Sequence, residues 1–423
     1  MKDCSTKSLV ERVLFQLRLL TLLVLKRSVS FLFIMLSAMF VVFPTSAQFI
    51  DEFTSDRLNY DPSGVNGWTY YTGDGAAGMI LFHSGKGYAT ITVDARSDIR
   101  NVWWALIRRQ VSGGMDLQRL KNPRYALRIE ARVKTSHAPR RINLHLNTQS
   151  TKDYHSHLME FDLPDTVQWH TVSMTTKGFD ALPGDTIYSQ LALMDWGLES
   201  YRLDIDYVRV DIVDTDSAGA DKGVQVPYHP PVPEPASFTQ HIPVAHDGMI
   251  DSHFPDLNFN NWCARDETGA EPLLTVGGTQ AVILRWDLSS VAGMSATGQG
   301  VLELTTYSLQ RLLPEQKNFG MIRIVEILSG DSAWNQSKVT YFSFCQRQSI
   351  SRVFNSQMII DLDVSESRGG KNFAVIPKPV LQRLIAGTTK GIALLPLGAI
   401  NASFYALENG VRERSPILHL TTE

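Results

Sequence analysis

From Leu127 to Lys134 apolar and charged residues alternate without a break. Leu127, Ile129, Ala131 and Val133 hold one parity, and Arg128, Glu130, Arg132 and Lys134 the other. A period of two suits a strand with one face on a core and one in water, not a helix with a single apolar stripe. Ile142, Leu144 and Leu146 alternate in the same way with Asn143, His145 and Asn147, and Leu203 and Ile205 with Asp204 and Asp206. The phase then slips, since Val208, Val210 and Ile212 form the next apolar set, and a β-bulge near Tyr207 accounts for the slip. Turn signals such as Pro183-Gly184-Asp185 separate the runs, so this part of the chain reads as a sandwich or jelly roll. Further on, Ala281–Trp286, Val301–Tyr307, Met321–Ile327 and Ile417–Thr421 are strand-like. A short helix is expected over Pro379–Ile385, opened by proline and closed by Gly387. With no glycine-rich phosphate loop and no αβ alternation, the chain is expected to be all-β.

The stretch Asp214–Gln240 separates two such regions. It begins with small polar residues and continues as Val-Pro-Tyr-His-Pro-Pro-Val-Pro-Glu-Pro, the composition of an exposed, semi-rigid tether. Residues 1–47 read as a leader: Lys2, Lys7, Arg12, Arg18, Lys26 and Arg27, then the apolar run Ser28–Phe43, then Pro44 and the small residues Thr45-Ser46-Ala47. That order is a secretory signal peptide cleaved after Ala47. The apolar run falls short of the roughly 20 residues a spanning helix needs, so membrane attachment would come only from an uncleaved signal segment. The expected organisation is therefore signal peptide 1–47, jelly-roll domain 48–213, proline-rich linker 214–240 and a second β-sandwich domain 241–423. The location implied is secreted, periplasmic or cell-surface.

The whole chain carries 40 basic and 43 acidic residues, and without the leader's six basic and two acidic residues it keeps 34 against 41. A net charge near −7 does not favour nucleic acid. Of the cysteines only Cys263 and Cys345 lie beyond the leader, and they either pair or stand as two separately buried thiols.

Charge is segregated inside the first domain. Thirteen basic residues stand against three acidic ones over 96–152, and eleven acidic against three basic over 153–213. Arg108, Arg109 and Arg141 lie there with Trp103, Trp104, Asn143, His145 and Asn147. Guanidinium groups match carboxylate and sulfate oxygens in pairs, and indole faces stack on sugar rings, so these eight residues are the candidate polysaccharide contacts. The competing reading is that the basic strands pair with acidic neighbours across a sheet. Trp103 and Trp104 point to opposite faces of a strand, so only one of them faces a ligand. Tyr154, His155, His157 and Asn147 form the candidate catalytic set of an alternative, a lyase acting on a uronate polymer. A hydrolase would need two facing carboxylates, and Glu160 and Asp162 lie too close together on one strand face.

The second domain resembles the DNRLRE-type module of secreted bacterial polysaccharide-degrading proteins, some of which are alginate-binding. The segments that carry the likeness are Asp247-Gly-Met-Ile-Asp251, Pro255-Asp-Leu-Asn-Phe259, Leu284-Arg-Trp-Asp-Leu-Ser289, Trp334-Asn335, Lys338-Val-Thr-Tyr341, Ala402–Glu408 and Ser415-Pro-Ile-Leu418. Glu408 lacks the neighbouring arginine of the family. The first domain is similar in plan to jelly-roll carbohydrate-binding modules, opening Phe49-Ile-Asp-Glu-Phe53 and closing Leu203-Asp-Ile-Asp-Tyr-Val-Arg-Val210. That likeness implies a structural calcium at Asp51, Glu52 and Asp206, and a solvated acidic strand face is the other reading. Together these readings describe an exported, non-catalytic protein that binds an anionic polysaccharide such as alginate. A lyase or hydrolase in the first domain and an adhesive surface protein are the alternatives.

Overall fold

The computed structural model describes residues 49–423 except 55–59, 73–78, 86, 98–104, 152–156, 180, 183, 194–198, 228–229, 261–262, 267–268, 312–314 and 316–319. The expected leader, Trp103, Trp104, Tyr154 and His155 lie outside the described residues. No described helix is long and apolar enough to cross a membrane.

Two six-stranded antiparallel sheets face each other in the first sandwich. One runs β3 (Met79–Gly85), β4 (Tyr88–Asp94), β11 (Ser200–Asp214), β6 (Tyr125–Thr135) and β9 (His170–Thr175), with β1 (Phe49–Asp51) also on β11. The other runs β12 (Val224–Val226), β8 (Leu158–Leu163), β7 (Arg140–Thr148), β10 (Ile187–Leu193), β5 (Ala105–Gln110) and β2 (Thr69–Thr72). The alternation dictates the core. Leu127, Ile129, Ala131 and Val133 of β6 pack with Ile142, Leu144 and Leu146 of β7, all of them sealed from solvent. Each Ile or Leu so buried contributes about 1.5–3 kcal/mol. The pairing of β11 with β6 shifts register between Ile205 and Tyr207, and this bulge brings Val208, Val210 and Ile212 into the same core.

In the second sandwich one path of paired strands runs β13 (Gln240–Pro243), β24 (Ile417–Leu420), β18 (Gly300–Arg311), β23 (Ile400–Tyr405), β16 (Gly269–Gly277), β17 (Gln280–Arg285), β22 (Gly391–Gly398), β19 (Gly320–Ile327) and β20 (Phe354–Leu362). Beside it, β14 (His246–Asp251) pairs with β17, β15 (Cys263–Asp266) with β16 and β21 (Lys371–Ile376) with β18. Strand β17 is buried on both faces, which is why its sequence reads as an unbroken apolar run. Val282 and Leu284 enter one core, while Ala281 and Ile283 enter another closed by Trp334 and Phe344. Helix α1 (Tyr341–Cys345) starts in a capping box of Thr340 and Ser343, α2 is Ile350–Val353, and α3 (Lys378–Ile385) lays Val380, Leu381, Leu384 and Ile385 on the larger core. Gly387, at φ +70, follows α3 as expected. Cys345 is a buried free thiol, pushed up to about 11 by burial.

The segment 214–240, expected as an exposed tether, is mostly exposed and is strapped down where it leaves the first sandwich. Arg128 donates to the carbonyls of Ala218 and Ala220 at 2.8 and 3.0 Å, and Asp221 accepts from the Thr175 amide at 2.9 Å. Strand β12 then adds to β8, with Val226 opposite Glu160. A buried guanidinium needs acceptors, and three successive carbonyls supply them better than a free coil would. Gly223, at φ +90, makes the close approach: a Cβ there would sit 2.9 Å from Val172 and 3.0 Å from Phe161.

Residues Gln48–Glu423 form one compact unit, and side chains tie the sandwiches together. Arg140 donates to Asn355 Oδ1 at 2.8 Å and to Glu199 at 2.5 Å. The Arg141 amide donates to Gln357 Oε1 at 3.2 Å, and its guanidinium to the Ile359 carbonyl at 3.4 Å. In the reverse direction Arg383 of α3 approaches Asp162 at 4.0 Å while gripping Glu326 with two bonds of 2.8 Å.

Candidate functional site

The outer face of the β2–β12 sheet collects most of the predicted polar residues. Facing residues of an antiparallel ladder share a side, so the register fixes the set. On β7, Asn143, His145 and Asn147 lie opposite Ala192, Gln190 and Tyr188 of β10. Arg108 of β5 lies opposite Gln190, and Thr69 and Tyr71 of β2 opposite Arg108 and Leu106. On the far side Glu160 and Asp162 of β8 lie opposite Asn143 and Arg141.

A row of side-chain amides and one imidazole forms the floor. Gln190 Nε2 donates to Asn147 Oδ1 at 2.6 Å and stands 3.1 Å from His145 Nδ1, while Asn147 Nδ2 donates to the Thr148 carbonyl at 3.2 Å. An amide proton on Nδ1 leaves the ring proton of His145 on Nε2. Asn143 is only 3 % exposed, and its Oδ1 has no partner among the described residues. Arg108 lies over the Tyr188 ring, its guanidinium carbon 3.6 Å from the centroid. Among the described residues no carboxylate pairs with it. Tyr71, 42 % exposed, stands at the open edge of the same face.

The other predicted arginines are occupied. Arg109 points to the opposite side of β5, where it pairs with Asp51 at 2.7 Å and lies 5.1 Å from the centroid of the Phe49 ring. Arg141 shares the candidate face but is buried and held between Glu160 at 3.2 Å and Asp162 at 3.3 Å. Two carboxylates gripping one arginine are not a facing acid pair. Across the domain, acids of the later segment neutralise the basic stretch: Arg132 meets Asp206 at 2.8 Å, Arg124 Asp214 at 2.7 Å and Arg140 Glu199 at 2.5 Å.

The predicted calcium ligands are not brought together. Asp51 accepts from Arg109 and from the Trp68 indole at 3.0 Å, Asp206 serves Arg132, and Glu52 is exposed. No group of three or more acidic, histidine or cysteine side chains converges as a metal site among the described residues. Of the predicted catalytic set, His157 lies against the Phe179 ring at 4.7 Å, away from the amide row that holds Asn147. Tyr188, Gln190 and Tyr71 were not among the predicted contacts. Tyr188 and Gln190 do alternate with Ile187, Ser189 and Leu191, which is the signal that would have found them.

The second sandwich buries an acid, Asp247, on β14. Asp247, 2 % exposed, accepts from the Leu407 amide at 2.7 Å, and burial together with neighbouring Glu408 pushes its carboxyl up to about 7. Gln336 bridges Glu408, at 3.1 Å, to His246. Arg285 donates to the Ser332 and Trp334 carbonyls at 2.8 and 3.0 Å, and Asn258 to those of Gln336 and Val339 at 2.9 and 2.6 Å. These motif residues hold loops in place.

No family model matches the chain, and no curated protein matches it. Solved structures similar in fold include one titled "CBM4 structure and function", at 17% identity over 38% of this chain and 99% of that one, with a TM-score of 0.27. A family 11 carbohydrate-binding module from Clostridium thermocellum, in complex with a mixed-linked tetrasaccharide, is 15% identical over 38% and 92% of the two chains, with a TM-score of 0.25. The tandem CBM22-1–CBM22-2 of Paenibacillus barcinonensis Xyn10C is 10% identical over 90% and 98%, with a TM-score of 0.26.

Proposed function

We propose that this chain is an exported, non-catalytic polysaccharide-binding protein whose ligand is anionic, a uronate polymer such as alginate. The observation that carries the reading is Arg108: a cation with no acid partner among the described residues, seated over the Tyr188 ring beside the His145–Gln190–Asn147 row. A guanidinium so held meets a sugar carboxylate with two parallel bonds and little loss of side-chain freedom. The polar row lies beneath it, and exposed Tyr71 offers a ring to the sugar's C–H face. Export is read from the leader. The second sandwich is read as a DNRLRE-type module from its sequence segments.

Affinity electrophoresis in gels containing alginate, pectin, ulvan or neutral glucan tests it. The protein is expected to be retarded by alginate or another uronate polymer. A charge-assisted pair contributes about 1.5–3 kcal/mol, so Arg108→Ala is expected to weaken retention roughly 10- to 100-fold. Arg109→Ala, changed on the opposite side of β5, is expected to leave retention in place. Retardation by neutral glucan alone, or by none of the polymers, would overturn the anionic reading.

A further inference from the structure

We infer that the second sandwich carries its own contact for sugar carboxylates, a surface cluster in which Arg368 and Arg414 are seated on the paired rings of Tyr307 and Tyr405. The ligand class rests on the uronate reading of the first sandwich, whereas the cluster stands on its own geometry. The register of β18 against β23 shifts between Thr306 and Ser308, so Tyr307 is the extra residue of a bulge. Its ring meets that of Tyr405, at the end of β23, edge-on with centroids 5.5 Å apart. Arg368 comes from the turn between β20 and β21. Its guanidinium carbon lies 4.3 Å from the Tyr307 centroid, and its Nε donates to Tyr405 Oη at 3.4 Å. Arg414 comes from the loop before β24 and places its guanidinium carbon 4.9 Å from the Tyr405 centroid.

Both loops are fixed. The Gly369 amide donates to the Thr306 carbonyl at 2.8 Å and the Thr306 amide to the Gly370 carbonyl at 2.9 Å, which clips the turn to β18 one residue before the bulge. The Arg414 amide donates to the Val411 carbonyl at 2.9 Å, and Lys371 bridges the two loops by donating to the Glu413 carbonyl. Arg368 and Arg414 are both exposed, so a ligand reaches them without any opening of the fold. Acids close by in the chain are engaged elsewhere, Glu303 with Lys371 at 2.6 Å and Glu366 with Arg311 at 2.8 Å. Arg414 has no acid partner among the described residues. A guanidinium seated on a ring is restrained before the ligand arrives, and two parallel bonds to a carboxylate then cost little further freedom. Two such cations on adjoining rings suit a polymer in which every unit carries a carboxylate.

Titration calorimetry of the full chain with a short alginate oligosaccharide tests this. Two sites per protein are expected. Arg414→Ala is expected to weaken one of them roughly 10- to 100-fold, and Arg108→Ala the other. Arg368→Ala, changed in a separate loop, is expected to weaken the same site as Arg414→Ala, so one misfolded variant does not decide the matter. A single site that is lost in Arg108→Ala, or two sites untouched by Arg414→Ala and Arg368→Ala, would overturn the inference and leave the first site standing. A single site lost in Arg414→Ala but kept in Arg108→Ala would support it and remove the first-sandwich reading instead. No binding by the parent would remove both.

Discussion

The arginines of the basic stretch differ in what their neighbours leave them. Arg109, Arg124, Arg132, Arg140 and Arg141 each meet a carboxylate, whereas Arg108 meets a phenol ring. The sequence shows the cluster of positive charge but not its neutralisation, because most of the partners lie further along the chain, Asp51 of β1 lies before it, and all depend on how the strands pair. Hence a predicted basic face became one cation and a row of amides. A second residue-scale consequence belongs to Asp247. Its carboxyl is raised from 3.8 to about 7, so the fold favours the protonated form. Stability from this group is complete below the unfolded pKa and declines as pH rises from about 4 through 7, by an order of 2–4 kcal/mol. Urea unfolding at mildly acidic and mildly alkaline pH is expected to show that decline in the parent and a flatter profile in Asp247→Asn.

Among the elements, period-two patterning made β6, β7 and β11 legible from sequence, including the bulge before Tyr207. What remained hidden is the company each strand keeps. Strand β7 lies between β8 and β10, and β10 lies between β7 and β5, pairings that no alternation reveals. The strap before β12 was equally hidden: small polar residues suit a free coil as well as a coil held by Arg128. Gly223 is its tightest point, since a side chain would press on Val172 and Phe161 and φ is +90. Gly223→Ala is therefore expected to cost about 1–3 kcal/mol. It is also expected to expose the segment 214–226 to limited proteolysis before the rest of the chain is cut.

For the whole molecule, the contacts from Arg140 and Arg141 to Asn355, Gln357 and Ile359 couple two cores that the sequence presents as separate beads. Their partners lie more than two hundred positions along the chain, beyond any local pattern. A single unfolding transition by heat or denaturant is expected for the parent protein. Arg141→Ala strips Glu160 and Asp162 of their shared cation in a buried site, and such losses cost about 3–5 kcal/mol. The variant is expected to unfold in two steps by calorimetry, the first sandwich first.

The pairing of β13 with β24 joins residues 240–243 to residues 417–420. A ribosome delivers these segments in order, and the second sandwich cannot close its sheet until residue 420 has emerged. The first sandwich needs nothing beyond β12, so it is complete while its neighbour is still being made. The second sandwich is thus the last part of the molecule to close.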